Sequence, residues 1–542
     1  MDSCLTQNIQ VSPPVWRKYS RVPVIAGYSD VSSITPIIKE FLGLGNLPEN
    51  SEGQLNSDNL FGRLKEFQGS GECVLETVSK KTVKGFCKVT HLLDPIRTIQ
   101  NYYKHPEKGA RRLSEKLDNP MNQAYVDCLA NYLLGQLRER KISPHFCLFY
   151  GGFKGIADKY RYNITDEFES YRRYPDFWAR RRAGEFDLYI ERDDDESVDS
   201  KLFGTPTSSM RSTAFSYSTD GSEGTHETLE SISQKDSLVE LESIHSFKTR
   251  ESSESESASE SDSDSESGDN GHSVFCEYKS YPTMLIFQER MQGVIDDMLD
   301  DDKIVGSNHG SAEWESKWIA WTFQIIAALC TAQGVLGFTH NDLHTNNIVW
   351  TETEETWLFY KSRDGSIWRV PTHGKILRLI DFGRSIFRVG SKWFASDDYN
   401  SGGDADGQYN FECIKNGRSR TIYPNPSFDL CRFAVSTIEA LFPDMPPENI
   451  EGQILSQEDG WIVRETESPL WNLLWSWLID KDGKNVLRDE DGTERFPDFD
   501  LYQHITDKVM NAKPQEQIHK DLFKGFRVEA PGDWETVYPL FC

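Results

Sequence analysis

Basic charge is what this chain has least of. Lys and Arg total 59 against 86 Asp and Glu, a formal net charge of −27, with a pI near 4.9. Such a surface repels phosphate backbones, so no direct nucleic-acid binding is expected. Apolar residues are also few, at 37%, which is low for a chain folded throughout its length. The ten Cys are scattered and form no C-x-x-C pair. That argues against clustered metal ligands and against a dense disulfide scaffold. Cys87, Cys147 and Cys330 sit inside apolar runs and read as buried, reduced thiols of an intracellular protein. The start, MDSCLTQNIQ, lacks the basic-then-apolar order of a secretory signal. No uninterrupted apolar run is long enough to span a bilayer; the best, WIAWTFQIIAALC, is broken by Gln324. The expectation is a soluble protein with no membrane partner, cytoplasmic or nuclear.

What is present divides the chain into stretches of different texture. Residues 1–60 mix Gly, Asn and Pro without a pattern and are set aside as an N-terminal extension. From Phe67, ECVLETVS and GFCKVTHLL alternate around a Lys-rich turn, the signature of a β-hairpin. NPMNQAYVDCLANYLLGQL reads as a helix, with Val126, Leu129, Ala130, Leu133 and Leu137 on one face and Asn119-Pro120 as its start signal. HFCLFYGG returns to strand. Residues 193–272 collapse into Ser, Asp, Glu and Thr, and ESSESESASESDSDSESGDNG has no basic residue at all. A segment like that cannot bury enough apolar surface to offset its ordering entropy and should be disordered. PTMLIFQE is a strand, followed by a short helix around Val294 to Leu299 and a long amphipathic helix in WESKWIAWTFQIIAALCTAQG. TWLFYKS and SIWRV flank Arg363-Asp364-Gly365 as a second hairpin, and the last 120 or so residues are helical in pattern, most clearly NPSFDLCRFAVSTIEALF.

Between the long helix and the second hairpin lies GFTHNDLHTNNIVW, a polar block pinned by apolar residues on both sides. Here His340, Asp342 and Asn347 match the pattern H-x-D-L-x-x-x-N, and Leu379-Ile380-Asp381-Phe382-Gly383 adds a strand ending in D-F-G. On these motifs the chain resembles the protein-kinase superfamily. The resemblance implies an α+β, bilobal protein-kinase-like fold, with a small β-rich lobe, a larger α-helical lobe and a long acidic insertion. Its first lobe would run over 61–192 and 273–290, interrupted by the 193–272 insertion, and its second over 291–542. The implied activity is transfer of the γ-phosphate of ATP, with Mg²⁺, to a serine or threonine hydroxyl of a protein. Such chemistry asks for a lid over the phosphates, a cation on them, oxygens for the metal and a carboxylate near the acceptor.

The resemblance assigns those parts residue by residue. Asp342 would be the base or orienter of the acceptor hydroxyl, and Asn347 and Asp381 the Mg²⁺ ligands. Gly69, Gly71 and Val74 in GSGECV stand for the phosphate lid, and Lys88 in GFCKV for the phosphate-binding cation. The backbone of Glu289 and Met291 would meet adenine. His340, Phe382, Gly383 and Asp429 would brace the loop: Phe382 packs on His340, Gly383 lets the backbone turn, and Asp429 is buried against it. The helix offers Gln123 and Asp127 as partners for Lys88, and Asp127 is preferred because it carries charge. HNDLHTNNIVW, IDFGRSIF, the stretch from FASDDY to DGQYN, and NPSFDL bring the resemblance closer still to the serine/threonine protein kinase-like proteins of large nucleocytoplasmic DNA viruses. That would place the protein in a host cell or a virion.

Some residues depart from the pattern. Asn341 stands in place of the usual Arg, so activation through a phosphorylated loop gripping that Arg is not expected. His344 replaces Lys beside the transferring phosphate, as in small-molecule kinases, and supplies less charge at neutral pH. No A-P-E element follows D-F-G. Two other functions therefore stand beside the first: a small-molecule kinase of the aminoglycoside or choline type, and a catalytically weak scaffold or virion component. The Ser-next-to-acid run could itself be a target of another, acidophilic kinase, which would add further charge.

Overall fold

Short alternating runs in the first half of the chain pair into one antiparallel sheet. The computed structural model describes residues 24–34, 61–68, 71–192, 272–400, 403–409, 424–458, 461–489, 492–496, 499–530 and 536–541. The sheet contains β1 (Tyr28–Ser33), β2 (Phe61–Phe67), β3 (Glu72–Thr77), β4 (Thr82–His91), β5 (Phe149–Asn163), β6 (Phe186–Arg192) and β7 (His272–Glu289). Its order is β1-β5-β7-β4-β3-β2, with β6 pairing the first part of β7 and β4 the last part. Two expectations change here. Part of the N-terminal extension, β1, is an edge strand of this sheet, paired with β5. PTMLIFQE is only the end of a strand that begins at His272. The acidic stretch of 193–271 lies outside the described residues, as does Gly69.

Register fixes which side chains share a face. Glu72 lies opposite Phe86 and Val74 opposite Lys84, while Phe86 lies opposite Gln288 and Lys88 opposite Ile286. Side chains alternate along a strand, so Val74, Phe86 and Lys88 point to one side of the sheet. Cys73, Leu75, Cys87 and Val89 point to the other, where they join Phe153, Leu285 and Phe287 in a buried apolar core.

Helix α1 (Gln123–Glu139) covers the Lys88 side, packing against Met284 and Ile286. Its N-cap is Asn122, not Asn119-Pro120: the Asn122 side chain accepts from Ala124 N at 3.1 Å and donates to Leu92 O at 2.8 Å. A side-chain oxygen over the first turn satisfies a backbone N–H that has no helical partner.

Helix α2 (Ala312–Leu336) is longer and more apolar than the broken run suggested. By length and composition it could cross a membrane, yet 83% of its most apolar window is buried inside the protein. Trp314, Trp318 and Trp321 fill the core around it, and Gln324 is used internally, donating to Lys375 O at 3.1 Å and accepting from Leu377 N at 2.9 Å. The helix stops at Gly337, whose φ of 58° suits a residue without Cβ.

Past β8 (Gly293–Val294) and β9 (Ile348–Glu352), the hairpin of β10 (Trp357–Lys361) and β11 (Ile367–Pro371) precedes β12 (Lys375–Leu379). β9 lies between β8 and β12 in a small sheet. β13 (Ile386–Val389) and β14 (Lys392–Ala395) form a further hairpin. Helix α3 (Phe428–Leu441) follows, then the hairpin of β15 (Ile454–Glu458) and β16 (Trp461–Arg464), then α4 (Pro469–Trp477) and α5 (Asp500–Lys508). The last stretch is therefore not helical throughout. Its β17 (Arg527–Val528) and β18 (Val537–Pro539) also return to flank the β10–β11 hairpin. The architecture is α+β: a curled antiparallel sheet, helices including the long α2, and several small sheets.

Candidate active site

Lys88 leaves the middle of β4 towards α1 and meets two carboxylates. Its Nζ lies 2.7 Å from Asp127 Oδ2 and 2.7 Å from Asp381 Oδ1. Of the two acceptors α1 offered, Asp127 makes this contact. Gln123 lies instead against Gly383, where a Cβ would come within 3.1 Å of its Cγ. The other oxygen of Asp127 accepts from Phe382 N at 2.9 Å and from Asn131 Nδ2 at 2.8 Å. A single aspartate thus ties α1 to the lysine and to the backbone after Asp381.

Burial alone would lower the pKa of Lys88, but Asp127 and Asp381 override it and hold the ammonium above the usual lysine range. Burial acts to raise both carboxyls. At Asp127 it prevails, while at Asp381 the attraction of Lys88 wins and the group stays below its ordinary value.

The loop after α2 is held by its backbone. Asp429, fully buried at the start of α3, accepts from His340 N at 2.9 Å and Asn341 N at 2.8 Å. His340 Nε2 lies 2.8 Å from Ile380 O, which requires a proton on that nitrogen, and its ring sits 5.5 Å from that of Phe382. Asn341, at φ 62°, is buried, and its amide bonds Thr339, Arg384 O and the Tyr409 hydroxyl. An arginine would not fit that enclosed place. The left-handed residue of the D-F-G segment is Asp381 itself, at φ 60°. The turn was expected at Gly383, whose small size instead leaves room for Gln123.

Ile380 N donates to Asn347 O at 3.0 Å, which sets Asn347 beside the strand that delivers Asp381. Asn347 Nδ2 donates to Asp342 O at 2.8 Å and lies 3.0 Å from His344 Nε2. The amide nitrogen is thereby occupied, and the amide oxygen makes no hydrogen bond with any described residue. His344 is thus a neighbour of Asn347, holding its amide in place. Asp342 Oδ1 accepts from the Tyr502 hydroxyl at 3.0 Å and lies 3.6 Å from Arg384 Nη1. Burial raises the Asp342 carboxyl, but Arg384 and then His344 outweigh it and keep the group ionised far below the usual carboxylate range.

Compared with family models and with curated proteins, the chain gives no match. The functional reading therefore rests on the residues and their geometry.

At the rim, Gly71 has φ 87°, and its carbonyl accepts from Cys87 N at 2.7 Å. A Cβ there would lie 2.8 Å from that carbonyl partner's own oxygen and 3.0 Å from the Phe86 ring, so only glycine fits. Val74 is half-buried on the same side of the sheet. Glu289 spends its backbone N–H on Leu148 O at 2.9 Å, leaving only its carbonyl for a ligand. Met291 is buried with Cys147, Val294 and Val349, against Ile380, and its sulfur accepts from Arg378 Nη1. These make an apolar shelf next to the polar cluster.

Sequence reasoning passed over four contributors. Phe86 was within reach, because it lies two residues before Lys88 on the same strand face. Asn131 was too, one helical turn after Asp127. Arg384 directly follows D-F-G and was within reach as well, whereas Tyr502 carries no local signal, since it lies 160 residues beyond the carboxylate it touches.

Proposed function

We propose that this protein is an ATP-dependent phosphotransferase of the protein-kinase type, arranged as two lobes, that moves the γ-phosphate of ATP to a protein serine or threonine hydroxyl. The observation that carries the reading is the Lys88 amine held 2.7 Å from both Asp127 and Asp381, beside a loop that offers Asp342 and Asn347. A lysine locked between carboxylates on a sheet face is a fixed cation for phosphates. The second oxygen of Asp381 and the free oxygen of Asn347 are hard donors of the kind Mg²⁺ takes, so these residues fit the ion. When bound, Mg²⁺ would neutralise phosphate charge. Asp342, kept ionised, would orient the acceptor hydroxyl and take its proton. Ile380, half-buried against the buried Met291 and Val349, would give a nucleobase an apolar contact.

A protein mixture incubated with γ-labelled ATP and Mg²⁺ tests the reading. Label on protein that vanishes with Asp381→Asn supports it. Label only on small hydroxyl or amino compounds points to a small-molecule kinase. No transfer at all excludes both.

One observation favours the scaffold reading. The Phe86 ring occupies space under Gly71, on the face that bears Lys88. If the ring obstructs the nucleotide, Phe86→Ala raises ATP affinity; if it serves as a stacking surface, the same change lowers it.

A further inference from the structure

One hydroxyl reaches the centre of the candidate site from a distant part of the chain. Tyr502, in α5, donates to Asp342 Oδ1 at 3.0 Å. Its phenol is held on several sides. Arg432 Nε donates to the phenol oxygen at 2.8 Å, Phe499 stacks on the ring at 5.2 Å between centroids, and Phe428 lies 5.7 Å away. With 6% of its surface exposed, Tyr502 cannot leave without opening the core. Helix α5 is itself tied down: Asn425 Nδ2 donates to the carbonyls of Ile505, Thr506 and Val509. Asn425 stands just before α3, the helix whose Asp429 grips His340 and Asn341. One pair of helices therefore fixes both the backbone of the loop and its carboxylate.

The two oxygens of Asp342 are unequal as a result. Oδ1 takes the Tyr502 hydroxyl and lies nearest Arg384. Oδ2 accepts no hydrogen bond from any described residue. We infer that Tyr502 is a positioning residue for phosphoryl transfer, anchoring Oδ1 so that Oδ2 is the oxygen presented to the acceptor. This rests on the phosphotransferase reading. In the step it serves, the acceptor oxygen bonds to the γ-phosphorus and its proton passes to Oδ2. The bond from phosphorus to the β–γ bridging oxygen breaks, and ADP leaves with that electron pair. A misaimed carboxylate costs rate without costing nucleotide binding.

The test compares the wild-type full-length chain with Tyr502→Phe and with Leu474→Ala, a core change in α4 away from the Tyr502 contacts, using Mg·ATP and the protein mixture above. Tyr502→Phe should lower kcat about 10-fold or more while the KM for ATP stays within about 2-fold. Leu474→Ala loosens the packing but keeps the Tyr502 contacts, so it should lower the Tm with little change in kcat. Unchanged kcat in Tyr502→Phe overturns the inference, as does an equal loss in Leu474→Ala. If Tyr502→Phe does not fold, Arg432→Gln, which removes the Nε donor to the phenol oxygen, should show the same split, and unchanged kcat there overturns the inference. A wild type that transfers no label removes the phosphotransferase reading itself, and a wild type with activity that Tyr502→Phe retains removes only this inference.

Discussion

An ammonium is costly to bury unless its charge is answered, and Lys88 is answered twice, by Asp127 and Asp381. Removing one partner from such a cluster leaves like charges facing each other. Lys88→Met should therefore destabilise the fold by about 3–5 kcal/mol, read by denaturant unfolding, as well as abolish an ATP-dependent thermal shift. A change below about 1 kcal/mol would mean that the triad is solvated and loosely held. A second residue-scale effect lies at Glu167, whose carboxyl is pushed up to about 7 by burial and then by Asp166, Asp404 and Asp94. Because its folded pKa exceeds the ordinary 4.5, the folded state binds the proton more tightly. Its contribution to stability thus falls as pH rises from about 4.5 to about 7 and then levels off. Glu167→Gln should raise the Tm relative to wild type at pH 8 and leave it unchanged at pH 4. An equal gain at both pH values would assign the effect to packing. The triad was legible in the sequence because its members lie in recognisable local patterns. The Glu167 cluster was not, since Asp94, Glu167 and Asp404 come together only through the fold.

Between elements, the segment after D-F-G grips α1 a second time. Asp397 accepts from Lys116 Nζ at 2.8 Å, from Asn119 Nδ2 at 3.0 Å and from Gln123 N at 3.1 Å, so its carboxylate sits over the first turn of α1. A negative charge there satisfies helix N–H groups and the helix dipole. Asp397→Ala should cost about 0.5–2 kcal/mol from the cap. It should also weaken ATP affinity several-fold, because α1 carries Asp127; unaltered affinity would show that α1 is held by packing alone. At the other end of the loop, Asp429→Ala leaves two loop N–H groups unpaired at about 1–3 kcal/mol each. It should lower both the Tm and kcat. Most elements could be read from period and turn residues: the β3–β4 and β10–β11 hairpins, α1, α2 and α3. The strands that were missed include β1, β2, β6, the first part of β7, the β13–β14 and β15–β16 hairpins, and β17 and β18. β1, β17 and β18 are strands because each pairs with a neighbour far away in sequence, which local alternation does not show.

Taken whole, the molecule sets a small cationic feature inside a chain of net charge −27. Lys88 meets the carboxylates Asp127 and Asp381 directly, and the other cations of the candidate site, Arg378, Arg384 and Arg432, are tied to Met291, Asp342 and Tyr502. A polyphosphate approaching such a surface is repelled unless a divalent cation accompanies it. Binding should therefore depend steeply on Mg²⁺. Calorimetric titration of ATP into the purified chain, with Mg²⁺ and then with a chelator, tests the central claim that Lys88 takes the phosphates while Asn347 and Asp381 hold the metal ion that accompanies them. The account predicts binding with Mg²⁺ that is lost on chelation and lost in Asp381→Asn. ATP binding that is equally tight without Mg²⁺, or undiminished in Asp381→Asn, would contradict it.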